Sequence, residues 1–119
     1  MKLNLKRPLI IFDLETTGVN VTQDHIVEIG YIKVEPNGNE ESRNLRINPG
    51  IPIPEKSTAV HGITDEDVKD CPTFKEVAQD LANTFRGCDF AGFNSNHFDI
   101  PMLAEEFLRV GVDYDFNKA

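Results

Sequence analysis

Residues 8–18 have the sequence Pro-Leu-Ile-Ile-Phe-Asp-Leu-Glu-Thr-Thr-Gly, an apolar run that ends in two acids and a turn. A short apolar run with these boundaries is typical of a buried β-strand, predicted here over 8–14. Side chains two apart in a strand share a face, so Asp13 and Glu15 should lie side by side. Two adjacent carboxylates repel each other unless a cation or proton lies between them, and Mg²⁺ or Mn²⁺ prefers oxygen ligands. The stretch therefore predicts a buried strand with a metal site at its end. Two solvated acids are the less favoured alternative, because the pair lies in an apolar strand.

The remaining pattern predicts an α/β sheet. Strands are expected over 26–35 and 43–48, joined by a turn at 36–39. A helix should begin at the capping box of Thr73 and Glu76 and end at Gly87. A strand over 90–93 and a second helix follow, and the order of strands and helices indicates a layered α/β domain.

The second predicted helix should start with Asp99 as its N-cap and Pro101 in its first turn, and end at Gly111. The residues expected on its buried face are Ile100, Leu103, Ala104, Phe107 and Leu108. Asp99 also lies between a strand and a helix, where sheet proteins often place functional groups. Its two possible roles, helix cap and ligand, both remain open on this ground alone.

The length and net charge of the chain limit the kinds of protein that it can be. A chain of 119 residues forms one domain. A net charge of −8 argues against broad coating of nucleic acid, but not against an enzyme that grips a strand end through bound metals. Cys71 and Cys88 lack metal-site spacing and are expected to be reduced, and no apolar stretch near the start suits a signal peptide or membrane span. We therefore expect a cytoplasmic protein.

Three segments carry a family resemblance. Residues 12–18 and 92–99 (Gly-Phe-Asn-Ser-Asn-His-Phe-Asp) resemble the first two motifs of DEDD-type 3′→5′ exonucleases, the family of the proofreading epsilon subunits of bacterial DNA polymerase III. Residues 60–64 (Val-His-Gly-Ile-Thr) resemble a segment that the family carries between those motifs. The resemblance implies a ribonuclease H-like mixed sheet with flanking helices, spanning 1–119 as a single domain. It also implies hydrolysis of DNA or RNA 3′ ends.

The resemblance assigns roles to individual residues. Two Mg²⁺ or Mn²⁺ ions would be held by the catalytic carboxylates Asp13, Glu15 and Asp99. The terminal nucleotide and its strand would be contacted by Thr16, Thr17, Gly18, His61 and Asn94. Glu28 is interpreted as a structural acid on the second strand.

The family's third motif has no counterpart here. It consists of a His or Tyr followed by Asp, whereas the 20 residues after Asp99 contain no histidine, and Tyr114 is followed four positions later by Lys118. The expectation is a fold that lacks its C-terminal strand and helix, with an activity that is low or absent. An uncovered sheet edge would favour a homodimer, and a DNA polymerase subunit is a further expected partner.

Two other functions compete with this one. A non-catalytic module with the same fold, binding nucleic acid or a polymerase, is the main alternative. An aspartyl phosphatase with the motif Asp-x-Asp-Gly-Thr is disfavoured, because Glu15 and Thr16 occupy the places of its second Asp and its Gly. Nuclease activity with Mn²⁺ would separate the first two functions.

Overall fold

One mixed sheet organises the part of the chain that the computed structural model describes, residues 4–92 and 98–116. Its strand order is β3-β2-β1-β4, with β1 antiparallel to β2, β2 antiparallel to β3, and β1 parallel to β4. The strands are β1 (Leu9–Thr16), β2 (Ile26–Val34), β3 (Glu40–Arg46) and β4 (Asp89–Gly92). The strand predicted at the first motif is confirmed as β1, which lies between two other strands and runs two residues further than expected. Both Asp13 and Glu15 belong to it.

The described helices are α1 (Glu55–His61), α2 (Asp65–Val68), α3 (Phe74–Phe85) and α4 (Ile100–Arg109). The capping box predicted for α3 is confirmed, because Thr73 and Glu76 each accept the other's backbone N–H. The helices α1 and α2 were not predicted. They are seven and four residues long, too short to show a helical repeat of apolar residues.

The start of α4 differs from the prediction. Asp99 precedes the helix but makes no capping hydrogen bond, and its backbone is already helical (φ −63°, ψ −47°). A capping residue normally takes an extended conformation, which lets its side chain reach the free N–H groups of the first turn. Phe98 and Asp99 instead form a π-helical turn ahead of α4. Asp99 thus occupies the N-cap position of α4, as predicted, but without the side-chain hydrogen bond that a cap normally makes.

The core lies between one face of the sheet and helices α3 and α4. On β1, Ile10, Phe12 and Leu14 point into it, so the odd-numbered residues face away. The prediction that Leu108 is buried is wrong, since it is 73% exposed. The buried positions of α4 are Met102, Leu103, Glu106 and Phe107.

Aromatic side chains close the core at the C-terminal side. Tyr114 and Phe116 pack against Phe90 of β4 and Phe107 of α4. The Tyr114 hydroxyl donates to the carbonyl of Phe85 at 2.7 Å. This packing covers part of the surface beside β4, and a homodimer through the sheet edge stays a prediction.

Two smaller expectations concern the whole chain. Cys71 and Cys88 are both free, as predicted. Among the described helices, none has the length and apolar character needed to cross a membrane.

Candidate active site

The acidic pair lies at the end of β1, on the face directed away from the core. Asp13 is exposed and Glu15 is half-buried. Burial raises the pKa of the Glu15 carboxyl, the Asp13 carboxylate raises it further, and His61 opposes the shift. The two acids therefore act on each other electrostatically, as the two-residue spacing indicated.

Glu28 lies opposite Glu15 on the neighbouring strand. Its carboxylate accepts from Asn44 Nδ2 at 3.2 Å and pairs with Arg46 at 3.4 Å. Glu28 also raises the pKa of Glu15, although less than Asp13 does. These partners agree with the interpretation of Glu28 as a structural acid.

The elevated pKa of Glu15 gives a prediction about pH. Because Asp13 stabilises the protonated form of Glu15, Asp13→Asn should lower the pKa of Glu15. A raised carboxyl pKa means that the folded chain binds this proton more tightly than the unfolded chain. Stability from this group is thus present below pH 4.5 and is lost as pH rises through the folded pKa. A ¹³C-carboxyl NMR titration of both proteins measures the shift, and an unchanged Glu15 titration in Asp13→Asn would contradict the coupling.

The turn after β1 is held by a network around Thr17. The Thr17 hydroxyl donates to Asp24 Oδ1 at 2.8 Å and accepts from His25 N at 3.0 Å, and the residue is only 1% exposed. A Cβ on Gly18 would lie 2.5 Å from Asp24 Oδ2, so the close approach of this carboxylate requires glycine. Thr17 thus organises the turn in this structure, and its contact with a nucleotide stays a prediction.

His61 joins α1 to the same turn. Its Nδ1 accepts from the backbone N–H of Ile63 at 3.1 Å, so Nε2 carries the proton and donates to Thr16 O at 3.1 Å. Ser57 of α1 adds a second link, donating to Thr17 O at 2.7 Å. Gly62 follows with φ 77° and ends the helix, a conformation that favours glycine. His61 therefore lies beside the end of β1, and its contact with the 3′ end of a substrate stays a prediction.

Asp99 is buried, 3% exposed, at the start of α4. Strand β4 ends opposite Phe12, four residues before β1 ends, and the described chain resumes at Phe98. Within residues 4–92 and 98–116, no three Asp, Glu, His or Cys side chains are grouped so that they could hold a metal ion. The donor chemistry of Asp13 and Glu15 fits a divalent cation, but Asp99 does not complete the set in this conformation. Its place in the metal site stays a prediction.

The sequence also indicated Asn94 as a substrate contact and contained Tyr114, the tyrosine after the second motif. Asn94 lies outside the described residues, as does His97. Tyr114 is a core residue, because its hydroxyl is bonded to Phe85 O and burial raises its pKa to about 12. A phenol in this setting is a poor proton acceptor at neutral pH.

Sequence reasoning missed two features near the site. Val19, next to Gly18 in the turn, and Val60, next to His61, are 88% and 85% exposed, so each adds an exposed apolar side chain adjacent in sequence to a predicted site residue. Glu106 of α4 is buried and bonded to the segment that enters β2. The sequence carries one signal for this burial, because Glu106 comes three residues after Leu103 on the apolar face of α4.

Comparison with known proteins bears on this site. The profile of the exonuclease family RNase_T matches residues 10–118, nearly the whole chain. The chain belongs to this exonuclease family. The predicted family resemblance is thereby confirmed.

Relatives in sequence include bacterial proteins named after DNA polymerase III. The chain is 34% identical over 110 residues to the DNA polymerase III subunit epsilon of Haemophilus influenzae, covering 87% of this chain and 43% of the relative. It is 36% identical over 114 residues to a DNA polymerase III subunit epsilon-like protein of Rhodobacter capsulatus, covering 92% and 16%. A PolC-type DNA polymerase III of Caldanaerobacter subterraneus is 30% identical over 109 residues, covering 92% and 8%. The chain thus spans less than half the length of each of these relatives.

Solved structures agree on the fold. Exonuclease I of E. coli in complex with a dA16 oligonucleotide superposes with a TM-score of 0.81 at 18% identity, covering 91% of this chain and 25% of that one. A product-bound structure of exonuclease I also gives 0.81 at 18% identity, covering 92% and 27%. The fold is therefore the ribonuclease H-like mixed sheet with flanking helices, as predicted.

Proposed function

We propose that this chain is a 3′→5′ exonuclease domain of the DEDD type, which removes nucleotides from DNA or RNA 3′ ends with the help of Mg²⁺ or Mn²⁺. The observation that carries the proposal is the acidic pair Asp13 and Glu15 on an internal strand, with the pKa of Glu15 raised partly by Asp13. Like charges held this close are favourable when a cation lies between them. The family membership supports hydrolysis of nucleic acid by this pair.

Each residue would have a defined task. Asp13 and Glu15 would hold the metals, with Asp99 approaching from the start of α4. Bound metal ions would neutralise the scissile phosphate and supply an activated water. The chain itself would fix the end of the substrate strand through the backbone at Thr16 and Gly18, braced by His61.

Apolar surface beside the site supports the binding of a strand end. Val19 follows Gly18 in the turn after β1 and Val60 precedes His61, and both side chains are exposed. Exposed apolar side chains next to polar backbone suit the face of a terminal base, with the sugar and phosphate directed to the acids. A net charge of −8 makes long contacts along a phosphate backbone unfavourable, which fits a grip confined to the end.

A DNA polymerase subunit is the proposed partner, since the relatives in sequence are named as parts of DNA polymerase III. The third motif of the resemblance has no counterpart after Asp99. Without a positioned proton acceptor, rates typically fall by about 10²- to 10⁴-fold. The 119-residue chain should therefore digest more slowly than a full-length relative such as the Haemophilus influenzae subunit.

The test is digestion of a 5′-labelled single-stranded oligonucleotide with Mg²⁺ or Mn²⁺. A ladder that shortens from the 3′ end supports the proposal, and an oligonucleotide blocked at its 3′ hydroxyl serves as the control. Release of the 5′ label as a mononucleotide would contradict the polarity. Binding of the oligonucleotide with no digestion at any metal concentration would favour the non-catalytic module instead.

A further inference from the structure

A buried carboxylate on α4 is bonded to the chain that enters β2. Glu106 is 3% exposed, and its Oε2 accepts from the backbone N–H of Ile26 at 3.1 Å. Its Oε1 accepts from Arg109 Nη1 at 2.8 Å and lies 3.1 Å from His25 Nδ1. Burying a carboxylate is costly unless it is paired and hydrogen-bonded, and Glu106 meets both conditions. It thus forms a fixed connection between α4 and the start of β2.

This connection meets β2 at an irregularity beside the acidic pair. Glu15 pairs with Glu28, but Thr16 pairs with Ile26, so Val27 is an extra residue opposite the end of β1. A bulge of this kind bends its strand and changes where nearby side chains point. Because the N–H of Ile26 donates to Glu106, the bulge is held in place from α4.

Arg109 extends the connection to the turn after β1. Its Nη1 donates to Asp24 O and its Nη2 donates to Val21 O, each at 2.7 Å. The Asp24 carboxylate in turn accepts from Thr17. The group defined by Glu106 and Arg109, named here the α4 clamp, therefore holds both chain segments that flank the end of β1.

The same helix follows directly from Asp99. Glu106 comes seven residues after Asp99, about two helical turns or roughly 10 Å along the axis, so the two positions lie on one face. Leu103, between them, is fully buried. A helix fixed at Glu106 therefore fixes the position of Asp99 relative to β1.

We propose that Glu106, with Arg109, is a positioning residue that holds the bulge of β2 and the turn after β1, and through them the Asp13–Glu15 pair. This inference rests on the proposed function, in which Asp13 and Glu15 hold bound metal. Glu106 touches no substrate and acts through the bulge and the turn. Residues that orient metal ligands typically change metal affinity by about 10- to 100-fold when they are replaced.

The experiment compares Glu106→Gln with Glu105→Gln in the whole chain. Glu105 is the neighbouring residue of α4, so Glu105→Gln removes the same charge as Glu106→Gln. It is partly exposed, and its carboxylate lies 3.8 Å from Arg109. Calorimetry measures Mn²⁺ affinity, and NMR hydrogen exchange measures protection of the Ile26 and Thr17 amides without metal. Gln79→Gly, at an exposed position of α3, controls for a general loss of stability. We expect Glu106→Gln to weaken Mn²⁺ binding about 10-fold and to speed exchange at both amides, and we expect neither effect in the two controls.

The other possible results separate a failure of the inference from a failure of the proposed function. Faster exchange with unchanged Mn²⁺ affinity would overturn the inference, because the α4 clamp would then be structural only. Unchanged exchange and affinity would also overturn it. Absence of Mn²⁺ binding to the unaltered chain would overturn the proposed metal dependence and the inference with it, whereas Mn²⁺ binding that is unchanged in Glu106→Gln overturns the inference alone. If Glu106→Gln does not fold, Arg109→Lys decides by the same two measurements, since lysine keeps the charge but cannot reach Asp24 O and Val21 O together.

Discussion

Asp13→Asn is expected to abolish detectable Mn²⁺ binding and to slow digestion of a 5′-labelled oligonucleotide by about 10³-fold. Asparagine keeps the size of the side chain but removes the charge that would attract the cation. Loss of one preorganised electrostatic group alone costs about 10²- to 10³-fold, and a direct metal ligand belongs at the upper end of that range. Calorimetry with Mn²⁺ and the rate of ladder formation measure the two effects.

The matched control for this variant is Asp80→Asn, an exposed acid of α3. It removes the same charge at a position on a different element, so it should leave both measurements unchanged. Equal heats of Mn²⁺ binding for Asp13→Asn and the unaltered chain would exclude Asp13 from the metal site.

Phe107→Ala is expected to destabilise the chain by about 3–5 kcal/mol, the usual cost of truncating a buried aromatic side chain. Phe107 is 1% exposed, and its ring contacts those of Phe74 and Tyr114. The next residue, Leu108, is 73% exposed, and Leu108→Ala should change the free energy of unfolding by no more than about 0.5 kcal/mol. Urea unfolding of the two variants measures the difference. Similar losses for both would mean that α4 presents a different face to the core.

The sequence was sufficient for elements with strong local signals. The apolar run before Asp13 predicted a buried strand, because a strand that packs against the core needs such residues. The capping box at Thr73 predicted the start of α3 to the residue, since both of its hydrogen bonds form within four residues of chain. Both signals involve only residues that are close in sequence, so they can be recognised without the tertiary structure.

Other features depended on contacts distant in sequence. Glu106 looked like one more acid on a helix, because its partners Ile26 and His25 are about 80 residues away. Asp99 had the residue type of a cap, but the π-helical turn before α4 places its backbone in a helical conformation. Leu108 fits a helical repeat as well as Phe107 does, and only the packing of Phe107 against α3 and Tyr114 selects between them.

Because of the aromatic packing at the C-terminal side, the intrinsic tyrosine fluorescence of the protein reports on its core. The chain has no tryptophan and two tyrosines, so its intrinsic fluorescence comes from Tyr31 and Tyr114 alone. Tyr31 packs edge-on against the ring of Phe85, and Tyr114 is bonded to the carbonyl of that same residue. Both emitters therefore sense one point in the core, where β2, α3 and the C-terminal segment meet. Loosening at Phe85 would alter the emission of both at once, without any label.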